Sequence, residues 1–101
     1  SNNTRNLVQI INDNVAATEA TCLKIQQDST TWAAQIKSTH ATAGAGLYVA
    51  AGDDNNAPAF RVADKDDNDK FTIQGSGNVG IGTTTPATTL DVRGTVSAFT
   101  I

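Results

Sequence analysis

Residues 60–81 read FRVADKDDNDKFTIQGSGNVGI, and this stretch decides the fold class. Three segments within it, FRV, FTI and VGI, carry apolar residues at every second position. Successive side chains of a strand point to opposite faces, so this period of two predicts short β-strands with one apolar face. The segments between them, DKDDND at 64–69 and GSGN at 75–78, consist of residues that favour turns.

The same pattern of apolar residue, any residue, apolar residue recurs along the rest of the chain. The further copies are LVQI at 7–10, LKI at 23–25, LYV at 47–49, LDV at 90–92 and a weaker AQI at 34–36. Turn-forming residues separate them, as in NDN at 12–14, QDST at 27–30, AGAG at 43–46 and GDDNN at 52–56. Many short strands at this spacing predict an all-β fold.

A coiled coil is the alternative interpretation of residues 6–36. Nine positions there follow a 3,4 spacing, namely Val8, Ile11, Val15, Thr18, Cys22, Ile25, Ser29, Trp32 and Ile36. Polar clusters at 12–14 and 29–31 compete with a helical backbone for hydrogen bonds, and Glu19 is the single Glu available for flanking ion pairs. We therefore favour strands, with a short N-terminal coiled coil kept open.

The composition indicates that the chain buries its apolar side chains against other copies of itself. Leu, Ile, Val and Phe make up 21 of 101 residues, and aromatic residues only 5%. Each predicted strand offers about two apolar residues on one face, which is too little for a two-layer core in one chain. The side chains expected to point toward a shared trimer axis are Leu23, Ile25, Leu47, Val49, Phe60, Val62, Phe71, Ile73, Val79, Ile81, Leu90 and Val92.

Charge and hydropathy argue against several classes of partner. The net charge is −3 and the seven Lys and Arg residues are scattered, so no nucleic-acid binding is expected. No apolar run is long enough for membrane insertion. Cys22 is the single cysteine, so it forms no disulfide within the chain. We interpret it as a small buried apolar residue, with pairing between chains as the alternative.

We predict no catalytic, cofactor-binding or metal-binding residue, and therefore no enzyme. A calcium loop starting at Asp64 would need Gly and Glu where Asp69 and Gly75 stand, so the acidic segment is interpreted as a solvated turn that discourages edge-to-edge aggregation. GSGNVGIG has no nearby Lys to hold a phosphate, and His40, the single histidine, lies in a polar turn region. Trp32 and Tyr48 are expected to pack within the shaft rather than to stack on a sugar.

Residues 77–96, GNVGIGTTTPATTLDVRGTV, resemble a segment found near the C-terminal end of bacteriophage tail fibres and tailspikes. The shared pattern is G-N-V-G-I-G-T-x-x-P, a short spacer, and L-D-V-x-G. In that family the segment typically precedes a self-cleaving intramolecular chaperone domain, and the repeats at 7–76 resemble the shaft more loosely. Gly75, Gly77, Gly80 and Gly82 are expected to supply positive φ or close backbone approach, and Pro86 to lie in a turn or at a strand end.

The resemblance implies an elongated, intertwined homotrimeric β-prism or β-spiral of short repeated strands. It divides the chain into a repetitive β shaft at 1–74 and a Gly-rich C-terminal shaft segment at 75–101, with no chaperone domain following in this sequence. The implied function is that of a structural tail-fibre protein, extracellular on the virion, supporting host attachment. Implied partners are other virion tail proteins and a host-surface glycan or protein. A receptor-binding module and the stalk of a bacterial trimeric adhesin are the alternatives.

Overall fold

The fold is all-β. The computed structural model describes residues 7–16 and 20–99 and holds four strands: β1 Pro58–Ala63, β2 Asp69–Gln74, β3 Val79–Ile81 and β4 Leu90–Val92. These ranges contain no helix, and hence none able to span a membrane. The heptad position Thr18, as well as Glu19 and the C-terminal Ile101, lie outside the described residues.

The four strands form one sheet in the order β1-β2-β3-β4. β1 pairs with β2 and β2 with β3 in antiparallel fashion, whereas β3 and β4 are parallel. The strands predicted from FRV, FTI, VGI and LDV are thereby confirmed. Residues 82–89 make the parallel crossover, and Pro86 lies in this connection as expected. So short a crossover suffices because each of the two strands has only three residues to retrace.

The two antiparallel connections are the turns that the sequence predicts. Between β1 and β2, Asp64 Oδ1 accepts hydrogen bonds from the backbone N–H groups of Asp66 and Asn68, and Asp67 takes a positive φ of 65°. Between β2 and β3, the N–H of Gly77 donates to the carbonyl of Gln74 over 2.9 Å. Register shifts at both ends of the β1–β2 ladder mark bulges.

The chain divides into two compact units, Ser1–Gly46 and Leu47–Ile101, and only the second contains strands among the described residues. Neither the strands predicted at 7–10, 23–25 and 34–36 nor the alternative coiled coil is found there, and the strand predicted at 47–49 is also absent. The described residues of the first unit are exposed, and their hydrogen bonds join residues two to four positions apart. Two apolar side chains per segment cannot offset the conformational entropy of forming a hairpin within one chain.

Candidate functional site

The candidate site is one surface of the sheet, which we call the apolar face. The register places apolar residues directly opposite one another across the ladders: Phe60 faces Ile73, which faces Val79, which faces Leu90. Paired residues of adjacent strands point to the same side of a sheet. The apolar face comprises Phe60, Val62, Phe71, Ile73, Val79, Ile81, Leu90 and Val92.

The described chain covers the apolar face only in part: five of its eight side chains are half-buried and three are exposed. Val62, Ile81 and Leu90 are 42%, 41% and 60% exposed, and no apolar side chain among the described residues is buried. A monomeric domain rarely leaves a contiguous apolar surface uncovered, and one that does usually marks an interaction site. The apolar face is therefore the candidate interaction surface of this chain.

Two aromatic rings contact each other on the apolar face. Phe60 and Phe71 lie diagonally across the β1–β2 ladder, with ring centroids 6.3 Å apart and ring planes at 79°. This edge-to-face geometry is the one that aromatic quadrupoles favour. Such a pair contributes about 0.5–1.5 kcal/mol beyond the area that the two rings bury.

A groove extends the apolar face beyond β1. It has a volume of about 360 Å³ and is lined by Leu47, Val49, Ala59, Phe60 and Ile73. Leu47 and Val49 are exposed, and Tyr48 between them is 90% exposed without lining the groove. Leu47 and Val49 therefore lie on the side of the apolar face, as the alternation of LYV predicts, although the segment is not a strand.

The opposite face of the sheet is polar and is closed by the chain itself. Thr72 and Gln74 are only 1% and 5% exposed. The connection at 82–89 lies over this face, where Gln74 Nε2 donates a 2.6 Å hydrogen bond to the carbonyl of Thr84. Backbone bonds from Gly82 N–H to the carbonyl of Lys70 and from Val79 N–H to that of Thr89 fix the two ends of the connection. The chain thus buries its polar face and leaves its apolar face open.

Thr72→Val is expected to stabilise the protein by about 1 kcal/mol per chain. The Thr72 hydroxyl is buried without a hydrogen-bond partner, and a buried polar group left unpaired costs about 1–3 kcal/mol. Valine has nearly the same shape and suits a strand. Urea unfolding would measure the change, with Thr84→Val as a control because the Thr84 side chain is exposed. A lower midpoint for Thr72→Val would contradict this assignment.

Asp64 accepts most of the hydrogen bonds that stabilise the acidic turn at 64–69. Besides its two backbone partners, the Asp64 carboxylate accepts two 3.2 Å bonds from Asn68 Nδ2, and Lys70 Nζ lies 3.4 Å from Oδ2. These bonds, first of all those from Asn68, lower the pKa of Asp64 from 3.8 to about 2. Among the described residues no group of three His, Cys, Asp or Glu side chains is arranged to hold a metal ion.

Asn68→Ala is expected to raise the pKa of Asp64 part of the way back toward 3.8. The variant removes the side-chain amide but keeps the backbone N–H that bonds the carboxylate. Because folding lowers this pKa, the turn's contribution to stability is present above the ordinary pKa and is lost as pH falls through about 2. An NMR titration of the Asp64 carboxyl carbon would measure its pKa in the parent protein and in the variant. An unchanged midpoint in the variant would refute the role of the amide.

Other residues that the sequence singled out lie away from the apolar face. Cys22 is exposed, so its predicted burial does not occur within one chain. Trp32 is 80% exposed, and the packing expected of Trp32 and Tyr48 is likewise absent within the chain. His40 is exposed, and its Nδ1 accepts hydrogen bonds from the N–H groups of Thr42 and Ala43.

Comparison with protein-family models, with curated proteins and with solved structures finds no match to this chain. Function is therefore inferred from the apolar face and from the pattern at residues 77–96.

Proposed function

We propose that this chain is a structural segment of a homotrimeric bacteriophage tail fibre or tailspike. The proposal rests on which face of the sheet the chain covers. Its own connection at 82–89 covers the polar face, whereas the apolar face is open. A chain with this arrangement gains most of its apolar burial only on assembly. Three copies whose apolar faces meet around one axis would form a closed, dry core.

The resemblance to tail fibres gains a structural rationale from the sheet. The N-V-G-I part of the pattern contains β3, and the L-D-V part is β4. These two strands pair in parallel, with Val79 opposite Leu90 and Ile81 opposite Val92. The fixed spacing between the two halves of the pattern is the length needed for the crossover. The two halves of the pattern thus correspond to two paired strands and the connection between them. This correspondence supports the proposal that the pattern forms one structural unit of the shaft.

The proposed role is mechanical. The shaft would hold a receptor-recognising tip at a fixed distance from the virion and resist unfolding, with other tail proteins and the host surface as its partners. The chain itself carries no chemistry in this proposal, and its location would be extracellular, on the virion.

Sedimentation equilibrium of the full chain tests the proposal. We expect a mass three times the 10.5 kDa of one chain at micromolar concentration. A folded species of one-chain mass, with the β-sheet signal intact by circular dichroism, would overturn it. Dilution provides a second readout, since the folded fraction of an obligate trimer falls as the chain concentration falls.

A further inference from the structure

We propose that the polar face of the sheet holds a binding pocket for a small neutral molecule with several hydroxyl groups, a polyol or a single sugar ring. The pocket has a volume of about 330 Å³, which lies at the lower end of the range for small-molecule sites. It opens on the side of the sheet opposite the apolar face, so a partner on the apolar face leaves it accessible. The proposal is therefore independent of the proposed homotrimer.

Strands β1 and β2 form the floor of the pocket, and two loops form its walls. Arg61 of β1 is paired in register with Thr72 of β2, so the two side chains share this face. Gln74 follows two positions after Thr72 in the same strand and points the same way. The walls come from the loop before β1, through Asn55 and Asn56, and from the connection at 82–89, through Thr84 and Thr85.

Two buried oxygen atoms of the floor, Thr72 Oγ1 and Gln74 Oε1, have no hydrogen-bond partner among the described residues. Thr72 and Gln74 are 1% and 5% exposed, so neither side chain reaches bulk solvent. Gln74 cannot exchange its amide oxygen for its nitrogen, because Nε2 already donates to the carbonyl of Thr84. Buried polar atoms of native proteins are almost always paired, and both of these residues line the pocket. A ligand in the pocket would supply the missing bonds.

The charges of the pocket favour a neutral ligand. Of the described residues that line it, Arg61 and Asp69 are charged, and Arg61 Nε donates a 2.8 Å hydrogen bond to Asp69 Oδ1. The two groups therefore neutralise each other. An anion in the pocket would meet the Asp69 carboxylate, and a cation would meet the Arg61 guanidinium. Either ion would lose water without gaining a free counter-charge.

Hydroxyl groups match the hydrogen-bonding groups of the floor. Gln74 Oε1 only accepts, the Arg61 guanidinium only donates, and the Thr72 hydroxyl does either. A ligand that bonds all three must carry donors and acceptors close together. A hydroxyl group donates and accepts at one atom, whereas an amide divides the two between its nitrogen and its oxygen and fits in one orientation only. Neighbouring hydroxyl groups on one chain or ring therefore suit this floor best.

Titration of the full chain with glycerol, glucose and mannose, followed by NMR, tests the pocket. The reporters are the Nε2 protons of Gln74 and the backbone N–H of Thr72. We expect their chemical shifts to saturate for at least one probe, with a dissociation constant on the order of 1–10 mM. Saturation distinguishes a site from the general exclusion of polyols from protein surfaces. Acetamide and sodium acetate are the comparison probes, and tighter binding of either would overturn the assignment to hydroxyl compounds.

Two variants at position 72 separate binding from stability. Thr72→Val removes the hydroxyl and is expected to weaken binding about threefold to tenfold, although it stabilises the chain. Thr72→Ser keeps the hydroxyl and removes a buried methyl group, so binding should persist while stability falls. Thr89→Val is the matched control, because Thr89 is exposed and lies outside the pocket lining. It should bind as the parent does.

Two further results would overturn the proposal. Absence of saturation for every hydroxyl probe, at about ten times the expected dissociation constant, would make the pocket a site for ordered water only. Equal affinities of the parent and Thr72→Val would show that the probe binds elsewhere. A one-chain mass in sedimentation would overturn the proposed function and leave the pocket standing, so the two failures are distinguishable.

Discussion

Ile73→Asp is expected to abolish the proposed trimer at neutral pH. Ile73 lies at the centre of the apolar face, opposite both Phe60 and Val79. In the proposed assembly, the variant would bring three carboxylates into an apolar core, and burial of each ion costs several kcal/mol when nothing pairs with it. Three such penalties exceed what an assembly of marginally stable chains can offset. Sedimentation velocity would show a species of one-chain mass in place of the trimer.

Two controls separate charge from loss of packing. Ile73→Asn removes the same apolar side chain but cannot ionise, so its defect is expected to be independent of pH. Ile73→Asp is expected to recover trimer below about pH 4, where its carboxyl group becomes neutral, but only to the level of Ile73→Asn. Asp66→Ala changes a side chain that is 65% exposed and should leave the trimer intact. An intact Ile73→Asp trimer at pH 7 would contradict the inward orientation of the apolar face.

The sheet could be predicted from the sequence because its strands are locally encoded. FRV and FTI alternate cleanly, and the turn between them is built from Asp64 and Asn68, whose side chains bond the backbone nearby. Both signals act over a few residues and need no knowledge of distant parts of the chain. The four glycines at 75–82 also behave as expected: two adopt positive φ, and the other two meet backbone closely.

The first 46 residues show where the same reasoning fails. LKI and AQI alternate as well as FTI does, yet neither is a strand in the structure. Alternation with a period of two indicates which side chains share a face. A strand also needs a neighbouring strand that supplies hydrogen bonds. Since none of the residues described at 7–16 and 20–46 provides such a neighbour, the pattern alone over-predicts strands. The proposed trimer would supply these segments with partners from other copies.

The closed polar face was not foreseen either, although one signal pointed to it. Thr72 and Gln74 alternate with apolar residues of β2, which is typical of a solvated face, but here both are buried. What covers them is the Thr-rich connection at 82–89, whose position depends on the parallel pairing of β3 with β4. Gly80, between Val79 and Ile81, was the available signal, since a glycine inside a strand often marks a close approach of another backbone.

Gly80→Ala is the second change with a large expected effect, and it acts through the polar face. Gly80 is buried in β3, and a Cβ there would overlap the carbonyl oxygen of Thr83. That oxygen belongs to the backbone, so it cannot move aside as the end of a flexible side chain could. The connection at 82–89 would have to lift from the sheet, which would weaken the bond from Gln74 Nε2 to Thr84.

Overpacking of this kind costs about 1–3 kcal/mol, and the proposed trimer would incur the cost in each of its three chains. We therefore expect a clearly lower thermal unfolding midpoint and increased proteolysis within residues 82–89. Gly46→Ala is the matched control, because a Cβ at Gly46 meets nothing within 4 Å. It should be neutral or slightly stabilising, since alanine restricts the unfolded chain. If both variants unfold at the same temperature, then the connection does not close the polar face, and the reason for assigning the apolar face to the interface is lost.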